Sequence, residues 1–418
     1  MRERIAVVGS GIAGMGAAWQ LRNHADLTLI EREIRPGGHT NTVWVEEEDQ
    51  RIPIDTGFIV FNHVTYPHLV SLFKELDVST QPSEMSFSVR HDDSGLEYNG
   101  MGPNKLFAQR RNLLNPRFYR LVWEILRFFR DARQGLDSPA DLECTVREFA
   151  RRYRLGNDFL ELYLLPMSSA VWSTDPSRML DFPALSLIRF FQNHGFLGVS
   201  THHKWFTVTG GSQSYRDKLL AMLAPVRLPA KVVEVCETDA SANIRLESGE
   251  VLDFDRIIIA THADEALSLL KNPTPDQRRL LSTFGYQKNT AILHTDPAVM
   301  PRAKRAWASW NYRVLSGNAT THYWMNALQN VSQKKNYFLS INGDSLVNPS
   351  SILYQTVYEH PVFTLDAMRA QAELPALNTH SPAQRLFFCG SYFRHGFHED
   401  AYASAVQLAA TIRPLLHA

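Results

Sequence analysis

The chain has 418 residues, which is long for a single hydrophobic core, so we expect two domains. Its composition, 44% hydrophobic and 21% charged, is typical of a folded globular protein. Lysine and arginine together number 43, and so do aspartate and glutamate. This balance argues against a nucleic-acid partner, because no net field attracts a polyanion.

The cysteines and the apolar runs predict a reducing compartment. Cys144, Cys236 and Cys389 are scattered and lack the spacing of metal ligands, so we predict no metal site and no disulfide framework. The chain enters a strand pattern at once, with no apolar signal core before it, and it has no uninterrupted apolar run of membrane-spanning length. We expect a cytoplasmic protein that is either free or peripheral at the inner face of the membrane.

A strand–turn–helix–strand unit opens the chain. Residues 5–8 and 27–30 are short apolar runs typical of buried parallel strands, and helical spacing lies between them. The turn reads Gly9-Ser10-Gly11-Ile12-Ala13-Gly14. Its glycines permit a tight turn, a close backbone approach to a pyrophosphate at the helix N-terminus, and close packing of helix on strand.

Glu31 completes this motif. It follows the second strand, 20 residues after Gly11, where a carboxylate accepts hydrogen bonds from ribose hydroxyls. The unit therefore predicts a dinucleotide site.

Further elements follow in chain order. Residues 51–60 read as strand, interrupted at Asp55-Thr56-Gly57 and then resumed. Alternation around Asp92-Asp93-Ser94-Gly95 predicts a hairpin over 86–98, and 103–200 read as mainly helical and rich in aromatic residues. Later we predict strands at 205–208, 231–235, 244–246 and 257–260, an antiparallel sheet over 285–345, a strand at 386–389 and a helix over 402–416.

Strand signals of the nucleotide-binding kind thus occur at the start, middle and end of the chain. We predict an α/β protein with a discontinuous Rossmann-like domain (1–65, 205–265 and 380–418). A mixed α+β substrate domain (66–204 and 266–379) would carry the helical insertion.

Motifs near both ends resemble the flavin-containing amine oxidase and phytoene desaturase superfamily. After Glu31 comes Arg35-x-Gly37-Gly38, with His39 where that family usually has arginine. Near the other end, residues 388–391, 396–400 and 403–405 are similar to the family's closing motif. The resemblance implies non-covalently bound FAD, with Cys389 inside a strand rather than tethering the ring.

The same resemblance implies the residues that contact FAD. A middle strand would offer its backbone to adenine at Val233, and the last helix would aim its N-terminus at the flavin. The predicted cofactor-binding residues are Gly9, Gly11, Ile12, Ala13, Gly14, Glu31, Arg32, Gly38, His39, Thr40, Gly57, Phe58, Val233, Ala260, Gly390, Ser391, Glu399 and Ala401.

A bacterial subgroup of the superfamily is similar to this chain over seven stretches: 55–62, 65–69, 86–89, 97–100, 205–212, 323–329 and 396–400. It includes the desaturase of the furan fatty acid pathway and resembles the oxidase-like half of plant cyclopropane fatty acid synthases. By analogy this implies a lipid acyl substrate and a fatty-acyl methyltransferase as partner.

Three functions remain open from the sequence. The leading hypothesis is an FAD-dependent dehydrogenase or desaturase of a methylated or unsaturated fatty acyl chain, with hydride transfer to flavin N5. An amine oxidase that releases peroxide, with an aromatic cage built from residues such as Tyr392 or Trp324, is the first alternative. The second is a non-catalytic flavoprotein partner of the methyltransferase.

Two residues and two segments bear on the substrate. His398 and Glu399 are candidate catalytic groups for proton transfer, or they only bind cofactor and cap a helix. Residues 110–133 contain seven arginines and predict a basic amphipathic helix, which suits an anionic membrane or packs on its own domain. Residues 185–197 either line an apolar tunnel or form core.

Overall fold

The described part of the chain contains twenty strands and sixteen α-helices. In the computed structural model these are residues 2–172, 174–199, 201, 203–223, 226–238, 241–316, 318–379 and 383–416. The strands are β1 (Arg4–Val8), β2 (Asp26–Ile30), β3 (Thr42–Glu47), β4 (Gln50–Asp55), β5 (Phe61–Asn62), β6 (Thr80–Ser83), β7 (Phe87–His91), β8 (Leu96–Asn99), β9 (Trp205–Val208), β10 (Val226–Arg227), β11 (Val232–Glu237), β12 (Ala242–Leu246), β13 (Val251–Phe254), β14 (Arg256–Ile259), β15 (Gly285–His294), β16 (Trp310–Leu315), β17 (Asn318–Trp324), β18 (Phe338–Ile341), β19 (Ile352–Val362) and β20 (Leu386–Phe388).

The helices are α1 (Ile12–Leu21), α2 (Pro67–Glu75), α3 (Pro103–Leu106), α4 (Pro116–Gly135), α5 (Val146–Arg152), α6 (Asn157–Phe159), α7 (Leu165–Trp172), α8 (Pro176–Met179), α9 (Ala184–Asn193), α10 (Gln213–Met222), α11 (Ala263–Leu269), α12 (Pro275–Leu281), α13 (Met325–Gln329), α14 (Leu365–Glu373), α15 (Ala376–Thr379) and α16 (His398–Ile412). A π-helical segment, Leu160–Leu164, joins α6 to α7, and Arg110–Leu114 is a 3-10 helix.

A parallel five-stranded sheet in the order β10-β2-β1-β14-β20 carries the dinucleotide motif. Its strands come from the start, middle and end of the chain, and the side chains of β14 from Ile257 to Ile259 are fully buried. Helices α1 and α16 pack against each other so closely that a Cβ on Gly16 would lie 2.6 Å from the Tyr402 ring. The strands predicted near 5–8, 27–30, 257–260 and 386–389 are confirmed.

A mixed seven-stranded sheet, in the order β19-β15-β18-β17-β16-β7-β8, forms the second layer. It contains the predicted hairpin as β7 and β8 and the predicted antiparallel region as β15 to β18. Strand β16 runs parallel to β7. The eleven-residue edge strand β19 was not predicted; its side chains alternate between half-buried and exposed over most of its length, so its apolar signal is weak.

The prediction of strand on both sides of Asp55-Thr56-Gly57 within 51–60 is confirmed before that turn and wrong after it. Strand β4 ends at Asp55, and the chain then turns before β5. Gly57 in this turn lies so close to the preceding loop that a Cβ there would be 2.1 Å from the carbonyl oxygen of His39. The close packing of this turn therefore interrupts the strand.

The region 103–200 is mainly helical, as predicted, and α4 is its longest helix. Pro116 takes its first position and the Asn115 side chain accepts a hydrogen bond from the backbone of Arg117, which together favour a helix start. Phe118, Leu121 and Phe128 are buried in the core. Within the described residues, no helix is long and apolar enough to cross a membrane.

Candidate functional site

A cavity of about 990 Å³ runs from the carboxyl ends of the parallel strands into the helical region. This volume is at the upper end of the ~300–1,000 Å³ usual for ligand pockets. Fifteen of the predicted cofactor-binding residues line it: Gly9, Gly11, Ile12, Ala13, Glu31, Arg32, Gly38, His39, Gly57, Phe58, Val233, Ala260, Gly390, Ser391 and Ala401. The side chain of His398 lines it as well.

The three glycines of the first turn have different structural roles. Gly9 has a φ of 100° and lies against the Ala260 carbonyl, while a Cβ on Gly14 would be 1.9 Å from the Gly9 carbonyl oxygen. Gly14 does not line the cavity, so its part is to let α1 pack on the turn. A Cβ on Gly11, by contrast, would meet no atom within 4 Å. Open space beside the N-terminus of α1 is what a pyrophosphate needs.

Glu31 is fixed by the turn that it faces. Its Oε2 accepts hydrogen bonds from the backbone N–H of Ser10 at 2.9 Å and from the Ser10 hydroxyl at 2.5 Å, and its Oε1 accepts from the backbone of Glu33. A carboxylate has about four lone-pair sites, so Glu31 retains acceptor capacity for ribose hydroxyls. Ser10 was not predicted, because serine in a glycine turn carries no distinct signal.

A β-bulge falls at Val233. The pairing of β11 with β12 shifts register between Val232 and Glu234. The extra residue of a bulge is left out of the ladder, so its peptide groups are free for another partner. The predicted backbone contact to adenine remains a prediction that this geometry fits.

The loop after Glu31 places a neutral histidine at the cavity. The His39 ring stacks on Tyr358 at 4.9 Å between centroids and lies edge-on to His360 at 5.4 Å. Burial, together with the neighbouring His360, holds the pKa of His39 well below its usual range. The Arg35 side chain donates hydrogen bonds to the carbonyl oxygens of Gly38 and Thr40, and these bonds stabilise the loop.

His398 lies in a dry stack at the start of α16. Its ring is parallel to Phe58, with 4.0 Å between centroids, and its Nε2 is 2.5 Å from the Tyr215 hydroxyl. That hydroxyl also contacts the Thr40 hydroxyl. Burial lowers the pKa of His398 to about 3, so the ring is neutral at physiological pH. Thr40 does not line the cavity, and we assign it to positioning Tyr215.

Glu399 points elsewhere. Its two carboxylate oxygens accept the backbone N–H groups of His68 and Leu69, both at 2.9 Å, at the N-terminus of α2. Burial raises the pKa of Glu399 to about 7. The side chain does not line the cavity, so this placement favours helix capping over the catalytic and cofactor-binding roles that we predicted for it.

Cys389 also faces away from the cavity. It is fully buried, with its Sγ 3.9 Å from the carbonyl oxygen of Ala13, and burial raises the pKa of the thiol to about 12. A protonated thiol that packs under α1 fits the expectation of an untethered ring.

The charged side chains that line the cavity are Glu31, Arg32, Glu33, Lys231, Glu265 and Glu359. Five of them lie on the nucleotide-binding elements, and Arg32 and Glu265 form an ion pair at 2.5 Å. Glu359 on β19 lies 3.6 Å from His262, at the end of β14. The charge of the cavity is therefore gathered at its nucleotide end.

The helical region contributes a further part of the lining, which we call the apolar arm. It carries no Lys, Arg, Asp or Glu. Its residues are Gly100, Met101, Gly102, Pro103, Leu106, Val122, Ile125, Leu126, Phe129, Tyr163, Met167, Val171, Trp172, Phe190, His194, Phe196, Gly198 and Val199.

Both interpretations of residues 185–197 hold in part. Phe190, His194 and Phe196 line the arm, whereas Leu187 and Phe191 belong to the core.

His194 is a polar group of the arm that sequence reasoning missed. Its Nδ1 is 3.0 Å from the Phe190 carbonyl oxygen, which only accepts, so Nδ1 carries the proton and Nε2 the lone pair. Nε2 lies 3.4 Å from the Thr65 hydroxyl. Burial lowers the pKa of His194 to about 4, so the ring is neutral at neutral pH. A single histidine on an apolar helix gives no pattern to find.

Three of the family-like stretches meet at one buried carboxylate, Asp55. It accepts hydrogen bonds from the backbone and hydroxyl of Ser212, from Thr42 at 2.5 Å and from the Gln329 amide at 2.7 Å. Burial raises the pKa of Asp55 to about 6. The network anchors the strand that leads into Gly57 and Phe58, both at the cavity.

The site has the parts of a flavoprotein oxidoreductase. A glycine turn lies on a parallel sheet, an acidic residue follows the second strand, and a closing helix lies at the far end of the same cavity. The sequence pattern of the family described as flavin containing amine oxidoreductase matches residues 12–326. The chain belongs to this family, and FAD is its cofactor.

Solved structures with the same fold span the entire chain. Cyclohexylamine oxidase from Brevibacterium oxydans IH-35A covers 100% of both chains, with a TM-score of 0.73 and 15% identity. Wild-type putrescine oxidase bound to putrescine covers 99% of both, with a TM-score of 0.71 and 14% identity. A CLA-producing fatty acid isomerase from P. acnes covers 98% of both, with a TM-score of 0.70 and 14% identity. No sequence among curated proteins matches the chain.

Proposed function

We propose that the protein is a dehydrogenase that introduces a double bond into a methylated or unsaturated fatty acyl chain. The observation that carries this proposal is the apolar arm, which we call the acyl arm from here on: its lining residues include no charged side chain, and it leads to the FAD-binding elements. Ligand sites of this kind take apolar molecules, and a few polar groups fix their orientation.

The charges of the cavity favour a neutral acyl chain over an ion. A free carboxylate deep in the arm would find no Lys or Arg, and an alkylammonium ion would find no Asp or Glu. A buried unpaired charge is strongly disfavoured. The carboxyl end of the substrate is therefore expected to stay at the mouth of the arm, esterified or solvated.

FAD, when bound, supplies a hydride acceptor at N5. The dehydrogenation removes a hydride from one carbon and a proton from its neighbour. The electron pair of the first C–H bond leaves with the hydride, and the electron pair of the second becomes the new π bond. The unprotonated Nε2 of His194, which lines the arm, would accept that proton. The aromatic side chains around it, including Phe190 and Trp205, exclude water. Reoxidation needs an electron acceptor such as dioxygen.

The experiment is anaerobic mixing of the holoprotein with phospholipids that carry methylated unsaturated acyl chains. Loss of the oxidised flavin absorbance together with a product two mass units lighter supports the proposal. Unchanged absorbance with every acyl substrate contradicts it. Met167→Glu puts a carboxylate into the arm and should abolish the reaction, whereas Met222→Glu, at a side chain that is 60% exposed, should not.

Amine oxidation is the second candidate, because the family description and two of the similar structures favour it. The cage that we predicted for it is not assembled from Trp324, which packs edge-on against Trp307 at 5.4 Å and does not line the cavity. Tyr392 lines it but is almost fully buried against Phe284. Peroxide release with monoamines or polyamines, and none with lipids, would favour this candidate.

A non-catalytic role beside a fatty-acyl methyltransferase predicts a third result. The flavin would then stay oxidised with lipids and amines alike, and the protein would co-purify with that enzyme. We propose the methyltransferase as a partner of the active enzyme as well, because both proteins would act on the same acyl chain. The fold accommodates fatty acids elsewhere, in the isomerase from P. acnes.

A further inference from the structure

The acyl arm opens to the surface through the helical region. Six residues of the arm are both exposed and cavity-lining: Gly100, Met101, Gly102, Pro103, Leu126 and Val199. Val199 is 75% exposed. We call this opening the acyl mouth.

Large apolar side chains stand exposed beside the mouth. Leu113, Leu114, Tyr119 and Trp123 form what we call the apolar collar; Leu114 is 90% exposed and Trp123 57%. Tyr119 and Trp123 are four residues apart on α4, and Leu126 of the mouth is three further on, so all three share one helix face. The Tyr119 hydroxyl donates to the Leu113 carbonyl, which joins the 3-10 helix to this face.

This outward face overlaps the apolar side that the sequence predicts only at Trp123, which was expected to widen that side and is exposed instead. The predicted side, comprising Phe118, Leu121, Val122, Ile125 and Phe129, packs on its own domain or lines the cavity. For that side, packing is the correct interpretation. The collar is a second apolar stripe, and nothing in the described residues covers it.

Basic side chains surround the collar. Residues 101–135 contain eight lysines and arginines but only two acidic residues, in a chain whose net charge is zero. Some are used internally, as in the Arg117–Asp158 pair at 2.5 Å. Arg110, Arg111 and Arg120 are exposed and have no ion-pair partner among the described residues, although Arg110 also donates hydrogen bonds to Asn104 and Arg111 to the Gly95 carbonyl. Arg127 lies over the Trp123 ring at 5.0 Å.

We infer that this surface docks on an anionic phospholipid bilayer, so that the acyl chain passes from the lipid into the arm without crossing water. The inference rests on the proposed function for its substrate. The collar would enter the interface between headgroups and acyl chains, and the arginines that lack an ion-pair partner would bind lipid phosphates. A bilayer is favoured over a protein partner because apolar groups, positive charge and the mouth of an apolar channel coincide on one face.

The test is flotation of the FAD-loaded protein with vesicles of phosphatidylcholine alone or with phosphatidylglycerol added. We expect binding to the anionic vesicles that weakens as salt is raised. Arg110→Glu/Arg120→Glu should weaken it by about 25-fold or more, from about fivefold per arginine. Leu114→Ser/Trp123→Ser should also weaken binding while leaving the salt dependence in place.

The chain offers a matched control at another surface. Trp44 is 41% exposed and has Arg51 over its ring at 5.5 Å, so Trp44→Ser and Arg51→Glu remove the same chemistry away from the mouth. These variants should bind vesicles like the wild type. Equal loss in the control variants, or no binding to anionic vesicles, would overturn the inference.

The failures of the two proposals are distinguishable. The collar side chains Leu114 and Trp123 do not line the cavity, so Leu114→Ser/Trp123→Ser should oxidise detergent-solubilised substrate at the wild-type rate and bilayer substrate more slowly. Flavin reduction by solubilised lipid without any vesicle binding contradicts only the docking. Vesicle binding with no flavin reduction contradicts only the proposed function.

Discussion

Two alanine substitutions in the first turn should separate cofactor binding from folding. In Gly11→Ala the new methyl meets no protein atom within 4 Å, and the residue has a φ of −62°, which any L-residue adopts. Alanine caps a helix less well than glycine, by a few tenths of a kcal/mol to about 1, but it also restricts the unfolded chain by ~0.4–1 kcal/mol. The free energy of unfolding of the apoprotein should change little.

The FAD affinity of Gly11→Ala should nevertheless fall. The methyl enters the space that the pyrophosphate needs, and overpacking of this kind costs about 1–3 kcal/mol. This corresponds to an increase of about 5- to 150-fold in the dissociation constant. Titration of apoprotein with FAD by calorimetry measures it, and urea unfolding of the apoprotein measures the stability.

Gly14→Ala should behave differently, because its Cβ would lie 1.9 Å from the Gly9 carbonyl oxygen. Backbone must move, so we expect a loss of about 3 kcal/mol or more in the free energy of unfolding, with FAD binding lost as a consequence. Gly285→Ala, with nothing within 4 Å, is the control for both measurements. FAD binding by Gly11→Ala at the wild-type affinity, or a stability of Gly14→Ala equal to that of the control, would contradict these assignments.

Further variants test single groups. His194→Gln should reduce acyl oxidation by ~10²-fold or more and leave FAD affinity unchanged, measured by stopped-flow flavin reduction; an unchanged rate would remove His194 as proton acceptor. Glu399→Ala should lower the free energy of unfolding by about 1–2 kcal/mol through the lost cap of α2, while flavin reduction persists; its abolition would restore a catalytic role. His294 is fully buried and burial lowers its pKa to about 4, as burial also lowers the pKa of His322. Below about pH 6.5 the unfolded state therefore binds more protons than the folded state. The free energy of unfolding should be highest above that pH and should fall on acidification by up to about 1.4 kcal/mol per pH unit for each histidine. Burial raises the pKa of Asp55 and Glu399, and these shifts act in the opposite direction. Urea unfolding at pH 7.5 and 5.5 therefore compares the wild type with His294→Gln/His322→Gln, which keeps both carboxyls, and an equal change in the two proteins would contradict the prediction.

The nucleotide-binding half could be predicted because its constraints are local. The spacing of Gly9, Gly11 and Gly14 and the position of Glu31 follow from one strand–helix–strand unit, in which each residue contacts a near neighbour in sequence. The parallel strands were visible because strands buried on both faces are continuous apolar runs. The FAD-family resemblance then depended on short motifs at both ends.

The rest depends on contacts between distant segments. Glu399 caps a helix 330 residues away, and Asp55 collects donors from Ser212 and Gln329, which no local pattern indicates. The outward stripe of α4 was missed because a helix with apolar groups on two sides has no single periodicity. Only the folded structure shows which face of α4 packs against the core and the cavity and which face is exposed.

In the functional state that we propose, an acyl chain lies in the arm and FAD lies against the opening glycines. A crystal structure of the holoprotein soaked with a methylated unsaturated lipid tests this directly. We predict density for FAD from Glu31 and Val233 to His398, and a continuous chain past Phe129 and Met167 to the mouth at Val199. Density for the lipid elsewhere, with the arm filled by side chains or ordered water, would contradict the account.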